Sequence, residues 1–347
     1  MAAETCRGLL GIKWGSKLIA TELYEGQGLG NQLWAYAAGR SIAENLGVGF
    51  TLQGIERFKG HEFLEIDPLV NATIEEQQCL KDCTIPRFYE SCYYDGELKC
   101  VSSGFDEGVT QISEPTLLEG LFQSERYFFG DLEKLKRYIR LKPEWIKKVA
   151  VAEDTCILNV RGGEYKRHKN LILPLSYWEQ AIRNVRERTG VGRFLVVTDD
   201  VKYARAIFPQ YEVLIGGVGH CYVALNNAKQ LILSNSSFSY FPTKTNCNTP
   251  YVIAPKFWGR FGNSKKRWSS PANLYKSWLW QDESGVLHSY QDCKAECDAT
   301  ERYYQSHYFL RTTPDQLLNK GLRKFVPAAI REFAKRLLSI AFPTKFG

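Results

Sequence analysis

Residues 16–52 read SKLIATELYEGQGLGNQLWAYAAGRSIAENLGVGFTL, and this stretch decides the fold. The apolar residues within 17–23 predict a strand, and the glycine run 26–30 predicts a turn. A helix is predicted over 31–46, ended by Gly47 as a left-handed cap. Four residues at every fourth position give it one apolar face: Trp34, Ala38, Ile42 and Leu46. The stretch is therefore a strand, a glycine loop and a helix, the opening unit of an α/β protein.

Strands and helices alternate again from residue 155 onward. The predicted strands are 156–160, 193–198, 212–215, 231–234 and 251–254, and the predicted helices are 175–186, 200–207 and 222–229. Apolar strands alternating with helices predict a parallel sheet covered on both faces, and ligands bind such sheets at the carboxyl ends of the strands. A polar helix is expected around 131–140, whereas residues 57–108 show little periodicity. We expect two α/β halves that meet near 143–154.

Composition and charge exclude several classes of protein. The chain has 347 residues, 44% hydrophobic and 24% charged, which is typical of a globular protein long enough for two domains. Six of the seven net positive charges fall after residue 319, so the body is nearly neutral and a nucleic-acid-binding role is not expected. No apolar run reaches the ~20 residues of a membrane span, and the start does not resemble a signal peptide. We therefore expect a cytoplasmic protein.

The ten cysteines leave two alternatives, a zinc site or free thiols. Disulfides are not expected in a cytoplasmic protein. The pairs Cys79/Cys83 and Cys293/Cys297 could each contribute to a zinc site, but neither has the two-residue gap of a zinc knuckle. Free buried thiols are the expected state.

Three loops follow predicted strands and carry polar groups. In the first, Gly26–Gln32, a dinucleotide fingerprint fails because Asn31 stands at the final glycine position. The amides of Asn31 and Gln32 at the helix start can hold a polar ligand, although a purely structural turn stays an alternative. In the second loop, Arg161 lies beside two glycines and suits a phosphate, the alternative being a surface arginine in a flexible turn.

The third loop, Ser234–Ser239, is rich in hydroxyl groups. Such residues at a helix start are common caps, and the same free N–H groups attract phosphate. Both interpretations stay open: the hydroxyl groups cap a helix, or the loop binds an anion.

Together, the ordered segments of this chain resemble the alpha-1,2-fucosyltransferase family (glycosyltransferase family 11-like), over roughly residues 18–280. The matching segments are GLGNQLWAYAAGRSIAENLG, LEGLFQSERYF, NVRGGEY, LPLSYWEQAI, FLVVTDD, LSNSSFSYF and VIAPKFWG. NVRGGEY stands where the family has His-x-Arg-Arg-Gly-Asp-Tyr. Arg161 keeps the first arginine, while Asn159, Gly162 and Glu164 replace the histidine, the second arginine and the aspartate.

The resemblance implies a two-domain GT-B-like fold with a Rossmann-like parallel sheet in the carboxyl-terminal half. We expect residues 1–150 to form an α/β domain on the acceptor side, 151–315 to bind the nucleotide-sugar, and 316–347 to form a basic amphipathic tail. The implied reaction inverts the sugar carbon and moves L-fucose from GDP-fucose to a glycan hydroxyl, alpha-1,2 to galactose. The replacements at 159 and 162 leave two alternatives: another nucleotide-sugar donor, or a glycan- or nucleotide-binding relative with weak catalysis.

No cofactor and no metal are expected, because the chain lacks the Asp-x-Asp pair that holds a divalent ion against a diphosphate. Arg161 would then stabilise the charge of the leaving diphosphate, and Glu164 would act as the base, with Asp199 or Asp200 as alternatives. The residues expected at the donor are Asn159, Arg161, Asp199, Asn235, Ser236 and Ser237. Those expected at the acceptor are Gly30, Asn31, Gln32 and Tyr165.

The basic tail has a helical pattern. Its apolar residues recur at spacings of four and three: Val326, Ile330, Phe333, Leu337 and Ala341. One interpretation is a terminal helix docked on the body. The other is an amphipathic helix on the anionic inner face of a membrane, where the acceptor would be a lipid-linked glycan.

Overall fold

The computed structural model describes residues 18–72, 85–248, 250–307 and 311–312. Its strands are β1 Leu18–Glu22, β2 Gly49–Gln53, β3 Leu64–Glu65, β4 Leu69–Val70, β5 Arg87–Tyr89, β6 Cys92–Asp95, β7 Cys100–Ser103, β8 Thr116–Glu119, β9 Arg140–Leu141, β10 Thr155–Val160, β11 Arg193–Thr198, β12 Glu212–Val213, β13 Gln230–Leu233, β14 Tyr251–Pro255, β15 Leu279–Gln281, β16 Leu287–His288 and β17 Arg311–Thr312. Its α-helices are α1 Leu29–Leu46, α2 Lys134–Tyr138, α3 Pro143–Ile146, α4 Leu175–Thr189, α5 Val201–Ile207, α6 Val218–Asn227, α7 Tyr240–Thr245 and α8 Tyr290–Ser306.

The first sheet has the strand order β4-β2-β1-β8-β5. β1 pairs in parallel with β2 and β8, with Ile19 opposite Phe50 and Thr116, and only β4 is antiparallel to its neighbour. The predicted strand, glycine loop and helix are confirmed, although α1 begins at Leu29, two residues before its predicted start. Gly47, at φ 67°, caps the helix by donating its N–H to the last carbonyls, as predicted.

The second sheet has the strand order β12-β11-β10-β13-β14-β15-β16, with every pair parallel except the last. Counted along the chain from β10, the first six strands have the order 3-2-1-4-5-6, which defines a Rossmann-like sheet. The expected α/β class and the Rossmann-like sheet of the carboxyl-terminal half are therefore confirmed. With a parallel sheet in each half, the architecture is GT-B-like.

Several predicted boundaries need correction. The helix expected around 131–140 is only the five residues of α2, because Ile139 is extended and leads into β9. The strand expected over 212–215 ends at Val213. The helix expected over 222–229 runs from Val218 to Asn227, because Gly217 supplies its extended N-cap residue.

One large hydrophobic core joins the two sheets, and a second one packs on the carboxyl-terminal sheet alone. Trp34 of α1 has a fully buried ring whose centroid lies 4.3 Å from that of Tyr240, 5.2 Å from Phe241 and 5.8 Å from Tyr275, all in the carboxyl-terminal half. A single cluster of buried residues therefore contains side chains from both sheets. The division at residue 150 stays a prediction.

Some expectations fall outside the described residues: the basic tail 316–347, the Cys79/Cys83 pair and the first residue of the predicted strand, Lys17. Cys293 and Cys297 of α8 are free, buried thiols, and burial raises the pKa of Cys293 to about 12. In the described part of the chain, no group of three or more His, Cys, Asp or Glu is arranged to hold a metal ion. None of its helices is both apolar and long enough to span a bilayer.

Candidate active site

The candidate site lies where the strand order of the second sheet reverses. β10 and β13 are neighbours, but the chain continues from β10 toward β11 on one side and from β13 toward β14 on the other. At such a point the loops that follow the two strands separate and leave a crevice that binds ligands. Arg161 follows β10, and Asn235 follows β13 after one residue. The topology therefore brings two of the predicted loops to one crevice.

Arg161 is held at this crevice by a carboxylate and an aromatic ring. Its Nη1 lies 3.1 Å from Oδ2 of Asp199, in the loop after β11. Its guanidinium carbon lies 5.1 Å from the ring centroid of Tyr165. Its Nε is buried and has no hydrogen-bond partner among the described residues. A fixed guanidinium with an unsatisfied N–H is suited to binding an oxyanion.

The glycines after Arg161 allow a close approach of two loops. The N–H of Gly162 donates to Oδ1 of Asp199 at 2.9 Å. A Cβ on Gly162 would lie 2.7 Å from the ring of Tyr203 and 2.8 Å from Cβ of Asp200. One on Gly163, whose φ is 21°, would overlap the Asp199 carboxylate. A large side chain at position 162 would therefore overlap Tyr203 and Asp200.

The loop after β13 is engaged mainly within the fold. Tyr165 donates from its hydroxyl to the carbonyl of Asn235 at 3.1 Å, so it joins the two loops of the second sheet, and its contact with an acceptor stays a prediction. Ser236 accepts from the N–H of Phe238 at 3.4 Å, and Ser237 donates to Oδ1 of Asn31 at 2.8 Å. The predicted helix start is a 3-10 turn, Ser237–Ser239, followed by the short α7. The serine hydroxyls act here as a cap and a bridge, and phosphate binding by them stays a prediction.

Two of the residues expected at the donor, Asn159 and Asn235, have buried amides. Asn159 is 2% exposed, and its Oδ1 accepts from the hydroxyl of Ser234 at 3.5 Å. Asn235 is 5% exposed, and both its amide nitrogen and its amide oxygen lack a hydrogen-bond partner among the described residues. A buried polar side chain without partners costs free energy unless a ligand satisfies it. Within this crevice, Asn235 is therefore the residue whose buried amide would gain most from hydrogen bonds to a ligand.

The three candidate bases differ in their surroundings. Asp199 pairs with Arg161 and accepts from Gly162. Asp200 caps α5 by accepting from the N–H of Tyr203, and its hydrogen bond from Lys166 is the main cause that lowers its pKa. Glu164 is exposed in the 3-10 turn Gly163–Arg167, and its carboxylate has no hydrogen bond or ion pair among the described residues. Of the three carboxylates, Glu164 is therefore the one that no hydrogen bond or ion pair engages in the described part of the chain.

The first turn of α1 meets the Ser234–Ser239 loop directly. A Cβ on Gly30 would lie 2.5 Å from backbone atoms of Ser237 and Phe238, so only glycine allows this approach. Asn31 stands next to this contact. Gln32 is 1% exposed, donates to the carbonyl of Arg57 at 2.8 Å and accepts from the N–H of Lys59 at 2.9 Å. Both ends of its amide thus hold the turn that follows β2, a structural use of Gln32, and its contact with an acceptor stays a prediction.

Sequence reasoning missed three residues of the segment that follows β8. Gln123 donates from Nε2 to Oδ1 of Asn31 at 2.9 Å. Glu125 forms a buried ion pair with Lys244 at 2.9 Å across the two halves. Phe122 takes the left-handed region at φ 49°. The segment LEGLFQSERYF was available as a family resemblance, but nothing local to it indicates where its side chains reach.

Glu90 fixes this same segment. One carboxylate oxygen accepts from the N–H groups of Leu121 and Phe122, both at 2.9 Å, and the other accepts from the hydroxyl of Tyr127 at 2.8 Å. Burial raises the pKa of Glu90 from 4.5 to about 7. The ionised carboxylate is therefore disfavoured in the folded protein.

This shift predicts a pH dependence of stability. The folded state binds the Glu90 proton more tightly than the unfolded state, so its contribution is complete below pH 4.5 and is lost as the pH rises to about 7. We expect the free energy of unfolding of Glu90→Gln, relative to wild type, to rise over that interval by about 2–3 kcal/mol. Urea titrations of both proteins at a series of pH values measure it. Parallel pH profiles would contradict the raised pKa.

The sequence of this chain is similar to that of a known glycosyltransferase. No family model matches the chain. Over 183 residues it is 27% identical to the O-antigen biosynthesis glycosyltransferase WbnK of Escherichia coli, in a match that covers 48% of this chain and 57% of that protein. The chain thus spans little more than half the length of this curated relative.

Among solved structures, the fucosyltransferase NodZ from Bradyrhizobium is similar at 13% identity and a TM-score of 0.40, covering 68% of this chain and 95% of that one. POFUT1 in its apo form is similar at 10% identity and a TM-score of 0.41, covering 70% and 99% of the two chains. The fold assignment rests on the strand order given above. In sequence, the chain is similar to a glycosyltransferase over about half of its length.

Proposed function

We propose that this protein is a glycosyltransferase that moves L-fucose from GDP-fucose to a hydroxyl of a glycan acceptor. The observation that carries the proposal is the guanidinium of Arg161, which stands at the strand-order reversal of a Rossmann-like sheet with an unsatisfied buried Nε. The unpartnered amide of Asn235 in the neighbouring loop supports it, since a bound polar ligand would satisfy that amide. The similarity to WbnK supports the same reaction class.

The proposed reaction is a single displacement. The acceptor oxygen forms a bond to the anomeric carbon of the sugar while the bond from that carbon to the β-phosphate oxygen breaks, so the configuration inverts. The acceptor proton passes to Glu164, and the nucleoside diphosphate leaves with the bonding electron pair. Arg161 stabilises the negative charge that develops on this leaving group, and preorganised stabilisation of that kind is commonly the largest catalytic contribution.

The donor nucleotide has a second candidate. Asn159 stands where the resemblance implies a histidine that grips guanine, and its buried amide oxygen accepts from Ser234. Another nucleotide-sugar on the same fold is therefore the alternative donor. The acceptor, the alpha-1,2 linkage to galactose and membrane contact through residues 316–347 are parts of the proposal that stay predictions.

The proposal is tested by nucleotide release. The protein is incubated with a panel of nucleotide-sugars that includes GDP-fucose, with and without glycans, and with and without EDTA. We expect glycan-stimulated release of GDP from GDP-fucose that EDTA leaves unchanged. Stimulated release from a different nucleotide-sugar would show that GDP-fucose is not the donor, while the protein would still be a glycosyltransferase. Nucleotide binding without release from any donor would show that the protein binds nucleotides but is not a glycosyltransferase.

Asn31 provides a test of the acceptor side. Asn31→Ala is expected to raise the acceptor KM or lower kcat by about tenfold, the effect of a lost hydrogen bond, while binding of GDP alone stays nearly unchanged. Steady-state kinetics with varied acceptor and a GDP titration measure the two effects. Asn227→Ala, which removes a hydrogen-bonded amide at the end of α6, beside the amino end of β13, is the matched control. Lower thermal stability without a kinetic change would indicate a purely structural Asn31.

A further inference from the structure

The side chain of Asn31 has an unusual set of partners. Its Oδ1 accepts two hydrogen bonds, from Nε2 of Gln123 at 2.9 Å and from the hydroxyl of Ser237 at 2.8 Å. Its Nδ2 has no partner among the described residues, and the side chain is partly exposed. Because both donors meet the oxygen, the two N–H groups of the amide nitrogen are left available to a further acceptor.

Gln123 is itself held in one orientation. Its Oε1 accepts from Nδ2 of Asn273 at 3.4 Å, and its main-chain carbonyl accepts from the hydroxyl of Tyr275 at 3.4 Å. The two residues before it are anchored by Glu90. An amide whose oxygen already accepts from Asn273 presents its nitrogen to Asn31. The orientation of one amide therefore determines that of the other.

The elements involved meet at the carboxyl ends of both sheets. Asn31 lies in the first turn after the β1 loop, Gln123 follows β8, and Ser237 follows β13. Parallel sheets bind ligands at this edge, so the free N–H groups of Asn31 border the region where an acceptor would meet the donor. Ligand oxygen atoms are the partners that such N–H groups can take.

We propose that Gln123 is a positioning residue that orients the Asn31 carboxamide, so that Nδ2 donates to an oxygen atom of the acceptor glycan. The inference rests on the proposed function and adds to it the residue that fixes the acceptor contact. Without Gln123 the amide can rotate by half a turn and present its oxygen instead. An oxygen in that place repels a glycan oxygen that offers only lone pairs.

Gln123→Glu is the direct test, with lactose as the galactoside acceptor. The new carboxylate has the same shape, has no N–H group and repels Oδ1 of Asn31, so the Asn31 amide should reverse. We expect acceptor kcat/KM to fall by about tenfold while the donor KM stays within about twofold of wild type. In an Asn31→Ala background the same change should add less than about twofold, because Gln123 acts through Asn31. Gln111→Glu, at an exposed glutamine of the same half, is the matched control.

An equal loss of acceptor kcat/KM in both backgrounds, or a parallel rise in donor KM, would overturn the inference. If Gln123→Glu strongly lowers the melting temperature, Gln123→Met is used in its place. Its loss of acceptor kcat/KM is expected to be smaller, because Ser237 still donates to Asn31. The loss should again be nearly absent in the Asn31→Ala background. If wild-type protein transfers no sugar, the proposed function fails on its own. The double-variant comparison is then made on lactose binding by titration, and additive losses or absence of lactose binding would overturn the positioning role.

Discussion

Replacing Arg161 by lysine is expected to lower turnover by at least about 10²-fold, the loss that follows removal of one oxyanion donor. Lysine keeps the charge but lacks the planar set of N–H groups that lets arginine bond Asp199 and a phosphate together. The compact ammonium also cannot stack on Tyr165 as the guanidinium does. Glycan-stimulated nucleotide release under saturating donor measures the loss.

Arg193→Lys is the matched control for this variant. Arg193 also pairs with an aspartate, Asp154, but it opens β11 and so lies at the amino end of the sheet, away from the crevice. We expect it to retain nearly full turnover. Near-normal activity of Arg161→Lys with the same melting temperature as wild type would exclude the guanidinium from the mechanism.

Replacing Glu125 by alanine is expected to lower the free energy of unfolding by about 3–5 kcal/mol, the range found when one member of a buried ion pair is removed. The side chains of Glu125 and Lys244 are 7% and 9% exposed. Glu125 also accepts from the hydroxyl of Tyr240 at 3.1 Å and from the N–H of Lys276 at 2.9 Å. Alanine would leave the buried Lys244 ammonium without its counter-charge, with the carbonyl of Lys276 as its remaining acceptor. The hydroxyl of Tyr240 and the N–H of Lys276 would lose the carboxylate that accepts from them.

Urea unfolding measures this loss, with Glu133→Ala as the control. Glu133 pairs with Lys136, but its side chain is 74% exposed, and such surface pairs contribute about 1 kcal/mol or less. Removing Lys244 as well, in Glu125→Leu/Lys244→Leu, should recover part of the stability because no buried charge remains unpaired. Equal effects of the Glu125 and Glu133 replacements would show that the pair is not important for the fold.

The elements predicted correctly from sequence are those whose cause is local. The strand, glycine loop and helix of residues 18–46 follow from an apolar run, a turn and a four-residue repeat, and Gly47 follows from its need for a positive φ. The short length of α2, in contrast, depends on a distant segment of the chain. α2 is short because β9 pairs with β3, more than 70 residues earlier in the chain.

The candidate site was predictable only in part, for the same reason. Arg161 and Asn235 could be placed at strand ends from the alternation of strands and helices. The contacts that define the chemistry join distant segments: Gln123 to Asn31, Ser237 to Asn31, and Glu125 to Lys244. A single sequence shows each residue type but not its partner, so it could not distinguish a serine that caps a turn from one that bridges two sheets.

The backbone contact at Gly30 restricts how the two halves can diverge. A side chain at position 30 would overlap the Ser237–Phe238 peptide. A substitution that moves the backbone on one side of this contact therefore needs a compensating change on the other side. Half-molecule exchange is a practical case. A chimera that joins residues 18–150 of this chain to the carboxyl-terminal half of a relative needs a loop of the same shape at 234–239 and a cation at 244. Exchange of the amino-terminal half between relatives would therefore require the residues of this contact to be transplanted together with it.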